Sequence, residues 1–163
     1  MIIVELCLGL WMVDLPKAPP GLRSGWFNIH KSIGITLGVA ILFRVFWRFK
    51  HSVPAFPEHM KKWQQKIATA THHLLYLLML IVPLSGITGS YFSGYPIKYF
   101  GFEIARCEFP SPFIKELAAQ VHLFSTYALI GLIGFHLLGT LIHIIFFREN
   151  ILKRLSFWGS TQD

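Results

Sequence analysis

Two histidines bracket one apolar run, HLFSTYALIGLIGFH, at positions 122 and 136. On an α-helix fourteen residues turn through about 1400°, some 40° short of four full turns, and advance roughly 21 Å. His122 and His136 therefore share one face at two depths. Ionisable residues inside a membrane-spanning helix are rare and usually functional, and neutral imidazole is a favoured axial ligand for haem iron. Either histidine alone could equally be an interhelical hydrogen-bond partner; the pair at this spacing favours ligation. A ligand needs a partner across the bundle, and His30 in NIHKSIGITLG sits at the depth of His122, with Gly34 and Gly38 following on its face. Glycines leave room for a flat macrocycle beside its ligand, although G-x-x-x-G more commonly marks a plain close helix crossing. Arg44, fourteen residues after His30, matches the depth of His136. A guanidinium there can fork onto haem propionates or simply snorkel to the membrane surface.

The elements that must position these residues follow from composition. Of 163 residues, 53% are hydrophobic and only 14% charged, and the mean hydropathy is +0.52. That is more apolar surface than a soluble core needs, so the chain is read as an integral membrane protein. Apolar blocks at 27–47, 68–92 and 118–147 each reach the ~20 residues a spanning helix requires, and they lack the alternation of barrel strands. A fourth block, MIIVELCLGLWMV, ends at Asp14 and reaches only roughly 20 Å of a ~30 Å hydrocarbon core. It carries neither the basic start nor the cleavage site of a signal peptide. The expected fold is all-α, a transmembrane four-helix bundle with a shortened first helix, forming a single domain over 1–163.

Charge orients this bundle. Arg44, Arg48, Lys50, Lys61, Lys62 and Lys66 face only Glu58 in the connection between the second and third helices, and the tail adds Arg148, Lys153 and Arg154. These ends, the C-terminus included, are expected in the cytoplasm, across a bacterial inner (plasma) membrane. The other connections are nearly balanced. The net charge of +7 is thus mostly inner-surface charge facing the lipid bilayer, and no nucleic-acid partner is expected. Cys7 and Cys107 do not make a disulfide framework, and no C-x-x-C-H is present for covalent haem attachment.

Further histidines lie toward the inner side. THHLLY places His72 and His73 about 100° apart at the start of the third helix, and His143 is two turns beyond His136, nearly on its face. Each could be an interfacial histidine with no role. His51 and His59 fall in the inner connection and are expected to be solvated. Pro83 with Gly86 marks a kink in the third helix. Glu5 is a costly charge in a span unless it pairs or protonates.

Together these segments resemble a known family, the bacterial four-helix membrane cytochromes b561, related to the cytochrome b subunits of nickel hydrogenases and formate dehydrogenases. HKSIGITLGVAILFRVFWR is similar to the family's second helix, HHLLYLLMLIVPLSG to its third and VHLFSTYALIGLIGFHLLGTLIHIIFFRENILKRL to its fourth. The resemblance implies two haem b groups stacked across the membrane, each between two histidines. Carried over, His30 and His122 hold the outer haem and His136 one side of the inner haem. The remaining family ligand, on the first helix, falls just upstream of Met1, so the resemblance implies a chain that begins inside its first helix. The alternative is a one-haem protein in which His136 takes a substitute such as Met1. His72 is not an axial ligand by resemblance. It is expected to donate a hydrogen bond to an inner propionate or a quinone carbonyl, with His143 in the same cluster.

Bis-imidazole ligation fills both axial positions, which leaves one-electron transfer as the chemistry. The expected function is respiratory electron transfer between an outer-face redox partner and the quinone pool. A second reading makes the chain the haem-bearing membrane anchor of a peripheral hydrogenase or dehydrogenase subunit. A third, haem-free reading is a metal-transport path through His72, His136 and His143. A homodimer is compatible with each.

Overall fold

The structure is a computed structural model that describes residues 1–16, 21–51, 56 and 60–146. His59, Glu58 and the basic tail residues Arg148, Lys153 and Arg154 lie outside the described residues. Four helices follow in order: α1 (Ile2–Met12), α2 (Leu22–Lys50), α3 (Lys62–Tyr91) and α4 (Pro112–Phe146). The last three are long and apolar enough to cross a membrane. They start five or six residues before the apolar blocks do, at 22, 62 and 112 against 27, 68 and 118. The added turns are amphipathic, as in KWQQKI, and the Lys61 amide N–H donates to the Gln64 side chain at 2.9 Å to cap α3. Eleven-residue α1 extends only about 16 Å at the rise of a helix.

Consecutive helices pack on one another in antiparallel fashion. The end of α1 meets the start of α2, where Trp11 and Trp26 stack edge to face at 5.1 Å and Arg23 donates to the Val13 carbonyl. Large apolar side chains point outward: Phe43 is 74% exposed, and Trp47, Phe124 and Leu138 are exposed on other faces. Small residues fill the inside, with Ser32, Thr71, Ser85, Ala118 and Ser125 buried. This inverts a soluble bundle, as expected where lipid is as apolar as leucine and helices associate through close contact of small residues. The serine hydroxyls bond backward along their own helices, Ser32 to the Asn28 carbonyl, Ser85 to Ile81 and Ser125 to Val121.

One element was not expected. Within the 92–111 connection, β1 (Ile97–Tyr99) and β2 (Phe102–Ala105) form an antiparallel hairpin, with Tyr99 opposite Phe102, Lys98 opposite Glu103 and a bulge after Ile97. Its two-residue turn, Phe100–Gly101, has φ of 45° and 97°, positive at both positions as a type I′ turn requires. Strands of three and four residues are too short to show a period of two. The hairpin folds over the start of α2: the Phe100 amide donates to Ser32 Oγ at 2.9 Å, and Tyr99 and Thr36 share a hydroxyl contact at 3.2 Å. This end of the bundle, holding the start of α2, the end of α3 and the start of α4, is called the hairpin end below.

Candidate functional site

His122 rises from α4 toward α3 at the hairpin end. Its Nδ1 lies 2.8 Å from the Val82 carbonyl and 3.3 Å from Ser85 Oγ, whose hydroxyl also reaches Ile81 and Val82 carbonyls. A carbonyl can only accept, so Nδ1 carries the proton and Nε2 keeps its lone pair, the form in which imidazole binds a metal. The ring rests on Gly86, where an added Cβ would sit 3.1 Å from its Cε1 and 3.2 Å from its Nδ1.

His30 repeats this pattern on α2. Its ring rests on Gly9 of α1, where an added Cβ would sit 3.1 Å from Cε1. Its Nδ1 approaches Glu5 Oε1 at 2.7 Å. Glu5 is only 7% exposed. The approach is close but misaligned, and neither atom completes a hydrogen bond.

The two rings face each other with centroids 6.3 Å apart and planes at 82°. An imidazole nitrogen about 2 Å from a metal puts its ring centre ~3 Å away, so two rings on opposite sides of one metal stand ~6 Å apart. The pair fits that spacing; His122 Nδ1 is bonded to the Val82 carbonyl, and His30 Nδ1 has Glu5 Oε1 2.7 Å away. Two cavities open beside the rings, of about 350 Å³ and 60 Å³, and His30, Gly34, Pro83 and His122 line both. The larger also takes in Lys31 and Lys115, two cations in an otherwise apolar wall. Haem with its two carboxylates suits this donor set: two imidazoles, a flat apolar bed and adjacent positive charge.

Gly34 and Gly38 have different surroundings. Gly34 lines the cavities and looks toward Glu5, whereas Gly38 meets Pro83, with an added Cβ 3.4 Å from the proline Cβ. At the opposite end of the bundle the rings of His72 and His136 stand 5.3 Å apart at 62°. His136 and His143 are half-buried, while His72, His73 and Arg44 are exposed. Arg48 at the end of α2 lies within electrostatic reach of His72. His51 is exposed and stacks on Trp47 at 3.9 Å. Among the described residues no three His, Cys, Asp or Glu side chains are grouped to hold a metal ion, and Cys7 and Cys107 are free thiols.

Glu5, Gly9, Ser85, Lys31 and Lys115 surround the His30–His122 pair without having been singled out for it from the sequence. A signal existed for two of them: Glu5 and Gly9 are one helical turn apart on α1, so a residue that pairs with one can rest on the other.

Comparison with known proteins agrees with this architecture. The chain is 30% identical to cytochrome b561 homolog 2 of Escherichia coli (strain K12) over 153 residues, covering 91% of this chain and 79% of that protein. It is 31% identical to cytochrome b561 homolog 1 of the same organism, covering 90% and 89%. It is 24% identical to a probable superoxide oxidase CybB of Yersinia pestis, covering 94% and 89%. The family model described as prokaryotic cytochrome b561 matches residues 1–157. The chain belongs to the prokaryotic cytochrome b561 family and is a bacterial membrane b-type cytochrome of electron transfer.

Proposed function

We propose that His30 and His122 hold a haem b between them at the hairpin end, and that the chain carries single electrons between an outer-face partner and the quinone pool. The observation that carries this is the 6.3 Å ring separation, with His122 Nδ1 bonded to the Val82 carbonyl and His30 Nδ1 2.7 Å from Glu5. Bound there, haem would supply one-electron redox chemistry. The chain supplies the rest. Val82 fixes the His122 tautomer, Gly9 and Gly86 let the rings lie flat on their helices, and Lys31 and Lys115, which line the cavity, would meet the propionates.

The hairpin end faces outward in this reading, because Arg44, Arg48, Lys50, Lys61, Lys62 and Lys66 cluster at the other end. There His136 would hold one side of a second haem, with Arg44, His72 and His143 around it and quinone as the reactant. The role of haem-bearing anchor for a peripheral hydrogenase or dehydrogenase uses the same ligands and is distinguished by a co-purifying large subunit.

A second substrate reading has its own support. One relative is named a probable superoxide oxidase, and the cavity beside His30 and His122 carries Lys31 and Lys115. Cationic walls attract a small anion and raise its local concentration. In that case superoxide is the outer electron donor and quinone the acceptor.

The test is haem content by pyridine haemochrome on the purified chain and on His30→Ala and His122→Ala. Each variant should lose one haem per chain while the protein still inserts. An unchanged haem-to-protein ratio in either one removes that residue from the ligand set. Superoxide added to the oxidised protein should reduce the haem within seconds under the second substrate reading, and no reduction eliminates it.

A further inference from the structure

Glu5 is the one buried carboxylate among the described residues. It sits on the eleven-residue α1 and reaches the ring of His30 on α2 at 2.7 Å. Neither of its oxygens has a hydrogen-bond partner among the described residues, and His30 Nδ1 is likewise unsatisfied. A buried carboxylate in this state is strongly unfavourable unless paired. The donor within reach is that Nδ1 N–H, and a turn of the ring aligns the two. Room for the turn exists, since Glu5, His30, Gly34 and His122 all line the 60 Å³ cavity. Gly34 carries no side chain there, and its nearest neighbour in that direction is Glu5 Oε1 itself.

We infer that Glu5 is the positioning residue of His30: its carboxylate takes the Nδ1 proton in a hydrogen bond, turns Nε2 toward His122, and makes this imidazole the more electron-rich of the two. The inference rests on His30 and His122 being the haem ligands. The two rings then differ in what stands behind them. His122 is backed by a neutral carbonyl of Val82, and His30 by an anion. A carboxylate behind a ligating histidine fixes its tautomer and raises its basicity, and its negative charge in a low-dielectric span favours the more positive, oxidised iron. α1 thus sets the potential of a site whose ligands it does not supply.

The experiment is a redox titration of the purified holoprotein with Glu5→Gln and Glu5→Asp, with haem content measured on the same samples and on His30→Ala. Glu5→Gln keeps an oxygen that can accept from Nδ1 but removes the charge. Haem should be retained, and at a fixed potential the reduced-to-oxidised ratio of the hairpin-end haem should rise about tenfold, ~59 mV for a one-electron couple. Glu5→Asp keeps the charge and should lie much closer to the unmodified protein. Haem retained in Glu5→Gln at an unchanged potential overturns the inference, as does an equal shift in Glu5→Asp, which would assign the effect to packing. Haem retained in His30→Ala fails the ligand assignment instead, so the two failures are told apart. Should Glu5→Gln not assemble, the low-spin ferric electron paramagnetic resonance spectrum of the unmodified protein decides. The inference expects a narrower g spread than a bis-imidazole haem with neutral partners on both sides, and an equal spread overturns it.

Discussion

The two histidine pairs of this bundle are built differently. At the hairpin end His30 and His122 stand 6.3 Å apart, each on a glycine bed, each with an oxygen within 2.8 Å of its Nδ1, and both beside a cavity. At the opposite end His72 and His136 are 5.3 Å apart, about 1 Å closer, and His72 is exposed. The first pair is arranged around a space, and the second is a contact between rings. Ring proximity alone therefore says little about ligation; what stands behind each ring, and whether room has been left between them, says more.

The comparison can be broken most directly at the glycine bed. In Gly86→Ala the new methyl lies 3.1–3.2 Å from the His122 ring, so the ring must give way against its bond to Val82. Overpacking of this kind costs roughly 1–3 kcal/mol, and haem affinity measured by titration of apoprotein should fall about tenfold or more. Gly139→Ala is the matched control, with nothing within 4 Å of the added methyl. It should leave haem affinity unchanged while gaining roughly 0.5–1 kcal/mol of helix stability. Equal losses in both would show that the bed has no special part in the site.

Next in size is the contrast between His136→Ala and His72→Ala. If the opposite end holds a second haem through His136, the first variant lowers the haem-to-protein ratio by one haem per chain. The second keeps the ratio and moves only the potential. Loss of haem in His72→Ala would make the contacting ring a ligand and erase the distinction between the two ends.

The smallest effect belongs to the hairpin that covers one end and has no counterpart among the described residues of the other. Arg106 forks onto Glu103 at 2.7 and 2.8 Å, and that hydrogen bonding holds the Glu103 carboxyl below its usual range. A lowered native value means the pair's contribution is present above the unfolded carboxylate range and is lost as pH falls through the native value. Arg106→Gln should flatten this acid-side dependence in a thermal melt and leave neutral-pH haem content alone. The pair is fully exposed, so the change in melting temperature should be slight.

Much of the frame is legible in the sequence, because bilayer thickness and helical geometry dictate it. Three apolar blocks become α2, α3 and α4, and the fourteen-residue interval puts His122 and His136 at separate ends of one helix. The depth match between His30 and His122 follows from where α2 and α4 begin. What surrounds those rings was less accessible. Gly86 reads as part of a proline kink, and only the crossing of α3 and α4 shows that it lies under His122. Gly34 and Gly38 read as equivalent, yet one opens on a cavity and the other meets Pro83, because four residues on a tilted helix are enough to change neighbours. Glu5 reads as a charge that must pair or protonate, and its pairing with His30 depends on how α1 docks, which no local pattern encodes.

Ser32 has a bearing on how the protein is made. It is fully buried, two residues from His30, and its oxygen accepts the Phe100 amide from 68 residues further along the chain. Phe100 follows the end of α3 by nine residues, so this contact joins the start of α2 to a segment made only after α3. The serine meanwhile gives its own proton back to Asn28 and presents a bare lone pair. Docking of the turn at Phe100–Gly101 therefore needs α2 and the segment beyond α3 together, and it lays the hairpin over the start of α2 beside His30. A chain that stopped before Phe100 would keep α2 and α3 and lack this contact.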